Sequence, residues 1–407
     1  MDLSLDYTKK SLKNIEIIIS GSKSESNRLL ILQKLFPNIT LENLSDSDDT
    51  IHLQHALTSK EETIDIGHAG TAMRFLTAFF ATDPDSEVIL TGSARMQERP
   101  IQILVNALRD LGAEISYFKK DGFPPLKIQG KKILKDKVTM NGNVSSQYIS
   151  SLLLVAPSLP NGLEIELEGE ITSAPYLQMT ITLLQKLGVK VEWKGQIIKV
   201  FPKEQIDPIT LTVESDWSSA SYFYSLVALS EASELSLSAY DKESLQGDSR
   251  LVEIYKEFGV ETIFQENGIH LKKVKGFEQT YIELDLIEQP DIAQTIAVTC
   301  FGLGIACDLT GLHTLKIKET DRLEALKNEL SKLGAEISVT DKSLHLKASH
   351  QINSNISIET YNDHRMAMAF APLSMKVPVK ILDAEVVSKS YKHFWQDFDS
   401  AFTSISE

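Results

Sequence analysis

Cysteine is scarce in this chain, with 2 in 407 residues. Cys300 and Cys307 have no Cys-x-x-Cys partner and no His pair nearby, so a disulfide scaffold and a thiolate metal site both drop out and buried thiols are expected. Long apolar runs are lacking too: the longest, 292–307, is broken by Gln294, Thr295, Thr299 and two glycines. It falls short of the ~20 residues a spanning helix needs, so no membrane span is expected. The opening MDLSLDYTKK carries acids within its first six residues and no apolar core with a small-residue cleavage site, which argues against a secretion signal and for a cytoplasmic protein. A basic excess is absent as well. With 41 Lys and Arg against 56 Asp and Glu the net charge is −15, which opposes nonspecific binding to nucleic acid or anionic membranes. No Gly-x-Gly-x-x-Gly and no Walker sequence occurs, so nucleotide binding has no support. His52 and His55 share a helical spacing without a second ligand pair, and a solvated helix face is the expectation rather than a metal site.

What is present is a 407-residue chain, long enough for two domains, with 42% hydrophobic residues, arranged as a repeat. Six segments open with small or polar residues and run into an apolar helical stretch, from Ser24, Gly70, Ser145, Ser218, Asp291 and His364. From Gly70 onward the starts fall 75, 73, 73 and 73 residues apart. Between them recurs an amphipathic helix closed by glycine and followed by an alternating strand: ALRDLGAEIS, LLQKLGVKVE, IYKEFGVETI and ELSKLGAEIS. Gly112, Gly188, Gly259 and Gly334 suit left-handed helix ends, where a Cβ is penalised. Leu323, Leu326, Leu330 and Leu333 form one apolar stripe, and Ile101, Leu104, Leu108 and Leu111 another. Met366 and Met368 are expected in the core. Three such units per half imply a two-lobed α/β architecture. Changeovers at Ser20-Gly21-Ser22 and Glu214-Ser215-Asp216 would make residues 21–213 one lobe and 1–20 with 214–407 the other.

Helix starts favour anions, because their backbone N–H groups are unpaired and the helix dipole is positive there. Lys23-Ser24-Glu25-Ser26-Asn27-Arg28 puts two cations and two hydroxyls at the first start, and Gly67 to Arg74 forms a small-residue turn through which a ligand could touch backbone. Ser145-Ser146-Gln147 offers two hydroxyls and an amide at the third start, which N-capping alone could also explain. Ser218-Ser219 is read as a cap and is assigned no ligand. Glu98-Arg99-Pro100 places an arginine before a proline suited to a first helical turn. Lys318-Glu319-Thr320-Asp321-Arg322 crowds acids among cations, with Thr320 as a candidate cap. Asn362-Asp363-His364-Arg365 opens the sixth apolar helix, and Lys389 follows late in the chain. If these ends face one another, Lys23, Arg28, Arg99, Arg322, Arg365 and Lys389 line a cleft suited to small, multiply charged anions. Asp291 and Glu319 then become candidate proton-transfer groups.

In this order the motifs resemble the 5-enolpyruvylshikimate-3-phosphate synthase (3-phosphoshikimate 1-carboxyvinyltransferase) family: Lys-Ser-x-Ser-Asn-Arg at Lys23, Ala-Gly-Thr-Ala-Met-Arg at Ala69, Glu-Arg-Pro at Glu98, Ser-Ser-Gln at Ser145, Pro-Asp at Pro290, Lys-Glu-Thr-Asp-Arg at Lys318, Asp-His-Arg-Met at Asp363 and Lys389. The resemblance implies two lobes, each of three βαβαββ units in an inside-out α/β barrel. It implies transfer of the enolpyruvyl group of phosphoenolpyruvate to the 5-hydroxyl of shikimate 3-phosphate, through a tetrahedral adduct that then loses phosphate, in the shikimate pathway of aromatic amino acid biosynthesis. By motif match, Ser24, Arg28, Ser145, Ser146, Gln147, Ser173 and Lys318 would hold shikimate 3-phosphate, mainly on the 21–213 lobe. Lys23, Gly70, Arg99, Arg322, Arg365 and Lys389 would hold phosphoenolpyruvate. Asp291 would take the hydroxyl proton and also touch substrate, and Glu319 would serve C3, with Lys23 sharing the proton work. Neither metal nor organic cofactor is implied, and a monomer that binds neither nucleic acid nor membrane is expected. Three positions depart from the family's habit: His68 stands where Asn is usual, Phe75 where Pro is common and Thr314 where some members have Asn.

Two other readings are weaker. UDP-N-acetylglucosamine enolpyruvyl transferases share the fold and donor but usually carry a cysteine, sometimes an aspartate, before their Arg-Pro motif, and the segment 91–100 has neither. A non-catalytic protein binding an anionic metabolite would gain nothing from Asp291 and Glu319 beside its ligand.

Overall fold

The computed structural model describes residues 1–403 apart from 172, 173 and 275. The chain folds into two units, one formed by Gly21–Val213 and the other by Met1–Ser20 together with Glu214–Glu407. Gly21 opens the first because nothing larger fits there: a Cβ would lie 1.9 Å from the Asn43 carbonyl oxygen.

In the Gly21–Val213 unit the helices are α1 (Lys23–Leu35), α2 (Asp48–Thr58), α3 (Gly70–Thr82), α4 (Gln102–Leu111), α5 (Ser146–Val155) and α6 (Ala174–Lys186). Around α3, strand Thr63–Asp65 runs parallel to Glu87–Thr91, which is flanked by antiparallel Leu126–Gln129 and then Glu114–Tyr117. Around α5 the same plan recurs with Lys137–Asn141, Leu163–Glu168, Ile197–Val200 and Val191–Lys194. Side chains alternate across these strands, so Val138 and Met140 face inward while their neighbours are exposed. A parallel pair, Ile39–Glu42 with Ile209–Thr212, joins the beginning of the unit to its end.

In the other unit the helices are α7 (Trp217–Leu229), α8 (Leu251–Lys256), α9 (Ala293–Leu303), α10 (Arg322–Lys332), α11 (His364–Phe370) and α12 (Phe394–Ser400). The four-stranded plan appears twice more. Glu16–Ile17, Glu234–Ser238, Gly268–Lys273 and Val260–Gln265 form one sheet. Tyr281–Asp285, Ala306–Thr310, Leu344–Leu346 and Ile337–Val339 form the other. Ile356–Ile358 and Val379–Ile381 are completed by the first strand of the chain, Leu3–Leu5.

All thirteen residues of α7 and all seven of α11 are buried, as are Gly70–Ala81 of α3. A helix buried on every side has no face to give to water, so these helices occupy the middle of their units and the sheets lie outside them. Within the first unit α3 packs on α5 and α1 on both; in the second α9 packs on α7 and α11. Small hydroxyls let α7 and α9 approach closely: Ser221 meets Thr295 at 3.0 Å, and Thr299 donates to Ser225 at 2.8 Å. The amphipathic stripes bury as their spacing predicts, with Leu323, Leu326, Leu330 and Leu333 at most 1% exposed. Gly112, Gly188, Gly259 and Gly334 all take positive φ, between 73° and 109°. Met366 and Met368 are in the core, and Cys300 and Cys307 are buried free thiols. Among the described residues, no helix is long and apolar enough to cross a membrane.

The expected caps need correction. Asp321, not Thr320, caps α10, accepting from Glu324 N. Asp216, not Ser218 or Ser219, caps α7, accepting from Ser219 N. Ser145 stands at the N-cap of α5 without a side-chain capping bond. Pro100 precedes Ile101, the cap of α4, and so lies outside the helix. An aspartate two or three residues before a free N–H outcompetes a hydroxyl because its acceptor is charged.

Candidate active site

In each unit the starts of the central helices come together. Gln147 of α5 donates to Thr71 of α3 at 3.1 Å in the Gly21–Val213 unit. In the other, Arg365 of α11 reaches both Ser218 of α7, at 3.3 Å, and Asp291 in the turn leading into α9, at 3.1 Å. Converging helix starts sum their positive ends, which favours anions at each set of starts.

The Gly21–Val213 half is cationic. Arg28 is 2% exposed and donates to Thr180 Oγ1 at 2.7 Å, the Ser24 carbonyl at 2.7 Å and Ser150 Oγ at 3.3 Å. Burial pulls its pKa down to about 10, against the opposing charge of Glu25. Phe75, standing where proline is common in the resembling family, packs its ring 5.5 Å from the Arg28 guanidinium. Gly70 sits between two more arginines: a Cβ there would lie 2.6 Å from Arg99 Nη1 and 3.1 Å from Arg74 Nη1. Glycine thus lets both guanidinium groups close on the α3 start. Arg74 donates to the Gly70 carbonyl at 2.8 Å, and burial followed by the charge of Arg99 lowers its pKa to about 10. Two cations held this close are relieved by an anion. Lys23 pairs with Asp49, at the start of α2, across 3.5 Å. Ser146 is buried and Ser145 exposed beside Gln147. Ser173 lies outside the described residues. His68 is exposed and meets Ser93 at 2.9 Å.

The other half interleaves acids with cations. Arg322, 1% exposed, is gripped by Asp363, with Nε to Oδ2 at 2.6 Å, by Glu319 at 2.8 Å and by Asp291 at 3.1 Å. Burial alone would lower its pKa, but Asp363, Glu319 and Asp291 together hold it above the ordinary value. Asp363 is fully buried and also caps α11, accepting from Arg365 N at 2.9 Å. It is therefore the permanent counter-ion, whereas the side chains of Asp291 and Glu319 keep 17% and 28% of their surface in solvent. Asp291 also has Lys318 at 3.6 Å. Lys389 donates to the carbonyl of Asn362, next to Asp363, at 2.6 Å.

The structure thus assembles Asp291, Lys318, Glu319, Arg322, Arg365 and Lys389 around one set of helix starts, and Gly70 with Arg99 and Ser24 with Arg28 around another. Four further residues belong here to which sequence reasoning gave no role at the site: Asp49, paired with Lys23, Asp248, which accepts from Ser218, Asp363, named only within a motif, and Ser218, read only as a cap. Asp363 and Asp49 carried a signal, an acid at a helix start beside a motif cation. Ser218 carried the wrong one, since its place at a helix start reads as a cap while its hydroxyl serves Arg365. Among the described residues, no group of three or more His, Cys, Asp and Glu could hold a metal ion.

Residues 53–398 match the family model of EPSP synthase (3-phosphoshikimate 1-carboxyvinyltransferase). A 3-phosphoshikimate 1-carboxyvinyltransferase of Bacteroides fragilis is 46% identical over 389 residues, covering 95% of this chain and 94% of the relative. One from Haemophilus influenzae is 37% identical over 417 residues, covering 94% of this chain and 95% of its own. Among solved structures, an EPSP synthase of Acinetobacter baumannii superposes with a TM-score of 0.79 at 20% identity, over 99% of this chain and 100% of that one. The enolpyruvyl transferase NikO of Streptomyces tendae does so with a TM-score of 0.72 at 13% identity, over 100% and 99%. These two likenesses speak for the fold.

Proposed function

The chain belongs to the EPSP synthase (3-phosphoshikimate 1-carboxyvinyltransferase) family, and from that premise we propose how its residues divide the reaction. The enzyme transfers the enolpyruvyl group of phosphoenolpyruvate to the 5-hydroxyl of shikimate 3-phosphate and releases phosphate. Shikimate 3-phosphate is held by Ser24, Arg28, Ser145, Ser146, Gln147, Ser173 and Lys318. Phosphoenolpyruvate is held by Lys23, Gly70, Arg99, Arg322, Arg365 and Lys389.

Asp291 accepts the proton of the 5-hydroxyl as its oxygen bonds to C2 of the enolpyruvate, and Glu319 delivers a proton to C3. Lys23 shares the proton work. The adduct is tetrahedral at C2; loss of a C3 proton then expels phosphate and restores the double bond. Asp291 and Glu319 are suited to this because the same guanidinium, Arg322, orients both, and proton transfer demands hydrogen-bond reach before anything else. The observation that carries the reading is this pair of partly exposed carboxylates on one buried arginine whose permanent counter-ion is a third acid, Asp363.

The test mixes purified protein with shikimate 3-phosphate and phosphoenolpyruvate and follows phosphate release, with UDP-N-acetylglucosamine as the alternative acceptor. Release is expected with shikimate 3-phosphate alone; release with the nucleotide sugar instead would reject the acceptor.

A further inference from the structure

Behind Arg365 lies a buried acid that the reaction does not use. Asp248 occupies the short turn Gly247–Arg250 and is 5% exposed; Ser218 is 7% and Arg365 8% exposed. The Ser218 hydroxyl is bonded to Asp248 Oδ2, and Arg365 Nη2 donates to the same hydroxyl at 3.3 Å while meeting Asp291 Oδ2 at 3.1 Å. Asp248 Oδ1 has no hydrogen-bond partner. A carboxylate this deep, with one oxygen unsatisfied, costs stability, so its place asks for a reason beyond packing.

The turn that carries Asp248 is tied down on both sides. Gln246 accepts from Trp217 N at 2.9 Å and donates to the Ser215 carbonyl at 2.9 Å, fixing it to the start of α7. Arg250 donates to the Asp285 carbonyl at 2.9 Å and to Gln289 at 3.1 Å, fixing it to the segment that leads into Asp291. The acid therefore has one position relative to Ser218, and Ser218 offers Arg365 one acceptor. An arginine side chain has several rotatable bonds, and ordering it only when substrate arrives would weaken binding.

We propose that Asp248 and Ser218 are positioning residues that hold the Arg365 guanidinium ready for the anionic donor, phosphoenolpyruvate. The inference rests on the reading of Arg365 as a ligand of that donor. The hydroxyl donates to the acid and accepts from the guanidinium, so once Asp248 is ionised, above about pH 7, its negative charge is passed to Arg365 through one polarised hydrogen bond. Both residues reach the site through Arg365, so their effect is expected on donor affinity rather than on the acceptor.

The experiment, run on the alkaline side of the raised Asp248 pKa of about 7 so that the acid is ionised, measures kcat and both KM values in the full chain for Ser218→Ala, Ser218→Thr, Asp248→Asn and Arg365→Lys, with thermal melting as a check on folding. Losing a hydrogen bond to a charged group is expected to raise the phosphoenolpyruvate KM of Ser218→Ala about tenfold. Its kcat and its KM for shikimate 3-phosphate should stay within about twofold. Ser218→Thr, which keeps the hydroxyl, should restore most of the affinity, and Asp248→Asn, which keeps a hydrogen-bonding partner but removes the charge, should raise the same KM severalfold. If Arg365→Lys weakens phosphoenolpyruvate while Ser218→Ala and Asp248→Asn do not, the relay is wrong and the role of Arg365 stands. An unchanged KM in Arg365→Lys overturns both. Parallel changes in both KM values and kcat, together with a lowered melting temperature, would reduce the pair to a structural role and overturn the proposal.

Discussion

Both oxygens of Asp291 meet arginines, Arg322 on one and Arg365 on the other, each at 3.1 Å. Asparagine at this position would keep the shape and lose the ability to take a proton, so Asp291→Asn should lower kcat by roughly 10² to 10⁴ while both substrates still bind. Steady-state kinetics beside calorimetric titration checks this, and near-normal turnover would remove Asp291 from the proton transfer. Asp248 supplies a different prediction. Burial first, and the charge of Asp291 second, raise its pKa well above the ordinary carboxylate value. Between that ordinary value, about 4, and the raised one, the folded chain keeps a proton that the unfolded chain has released. Stability should therefore fall as pH rises through this window, and below it the effect disappears because both states are protonated. Urea unfolding of Asp248→Asn should show a flatter dependence over that range; an unchanged slope would place the titration elsewhere. At this scale the motif cations and the two catalytic candidates were legible, because charge crowded at a helix start is a local signal. Asp248 was not. Its neighbours in sequence, Gly247 and Ser249, say nothing of Ser218, which lies thirty residues away and meets it only through packing.

The elements were legible through their periods. A stripe such as Leu104, Leu108 and Leu111 or a terminal glycine such as Gly112 is written within a dozen residues, and the structure places them as those signals require. The caps were less so, since hydroxyls and carboxylates compete for the same N–H groups and a nearby aspartate wins. The packing of one central helix on the next was not legible. Ser221 faces Thr295 and Ser225 faces Thr299 across the α7–α9 interface, each pair one repeat apart. Thr299 also meets the Tyr255 hydroxyl at 2.9 Å. Thr299→Val keeps the volume but strands those hydroxyls in the core, so it should destabilise the protein by about 1–3 kcal/mol, read from denaturant unfolding; a loss below about 0.5 kcal/mol would mean that the hydroxyls find other partners.

At the scale of the molecule, the two thiols report on one unit. Cys300 on α9 and Cys307 on the following strand are both 0% exposed, and burial, then the neighbouring Cys307, pushes the Cys300 pKa up. A thiol reagent should label neither in the native protein and both in guanidinium chloride. Labelling under native conditions should proceed only as the Met1–Ser20 and Glu214–Glu407 unit opens, and more slowly with both substrates present, since a ligand that binds only the folded state opposes opening. Rapid labelling of the native protein would contradict the buried placement. By itself the sequence determined the repeat, the α/β class, the family and the crowding of charge at the helix starts, because helix periodicity, glycine ends and motif order are all local in the chain. Only the tertiary structure decided which acid serves which arginine. It made Asp363 the buried counter-ion of Arg322, left Asp291 and Glu319 partly in solvent, and brought Ser218 and Asp248 behind Arg365. Electrostatics acts through distances in space, and helix starts some 73 residues apart along the chain become neighbours only when the central helices pack.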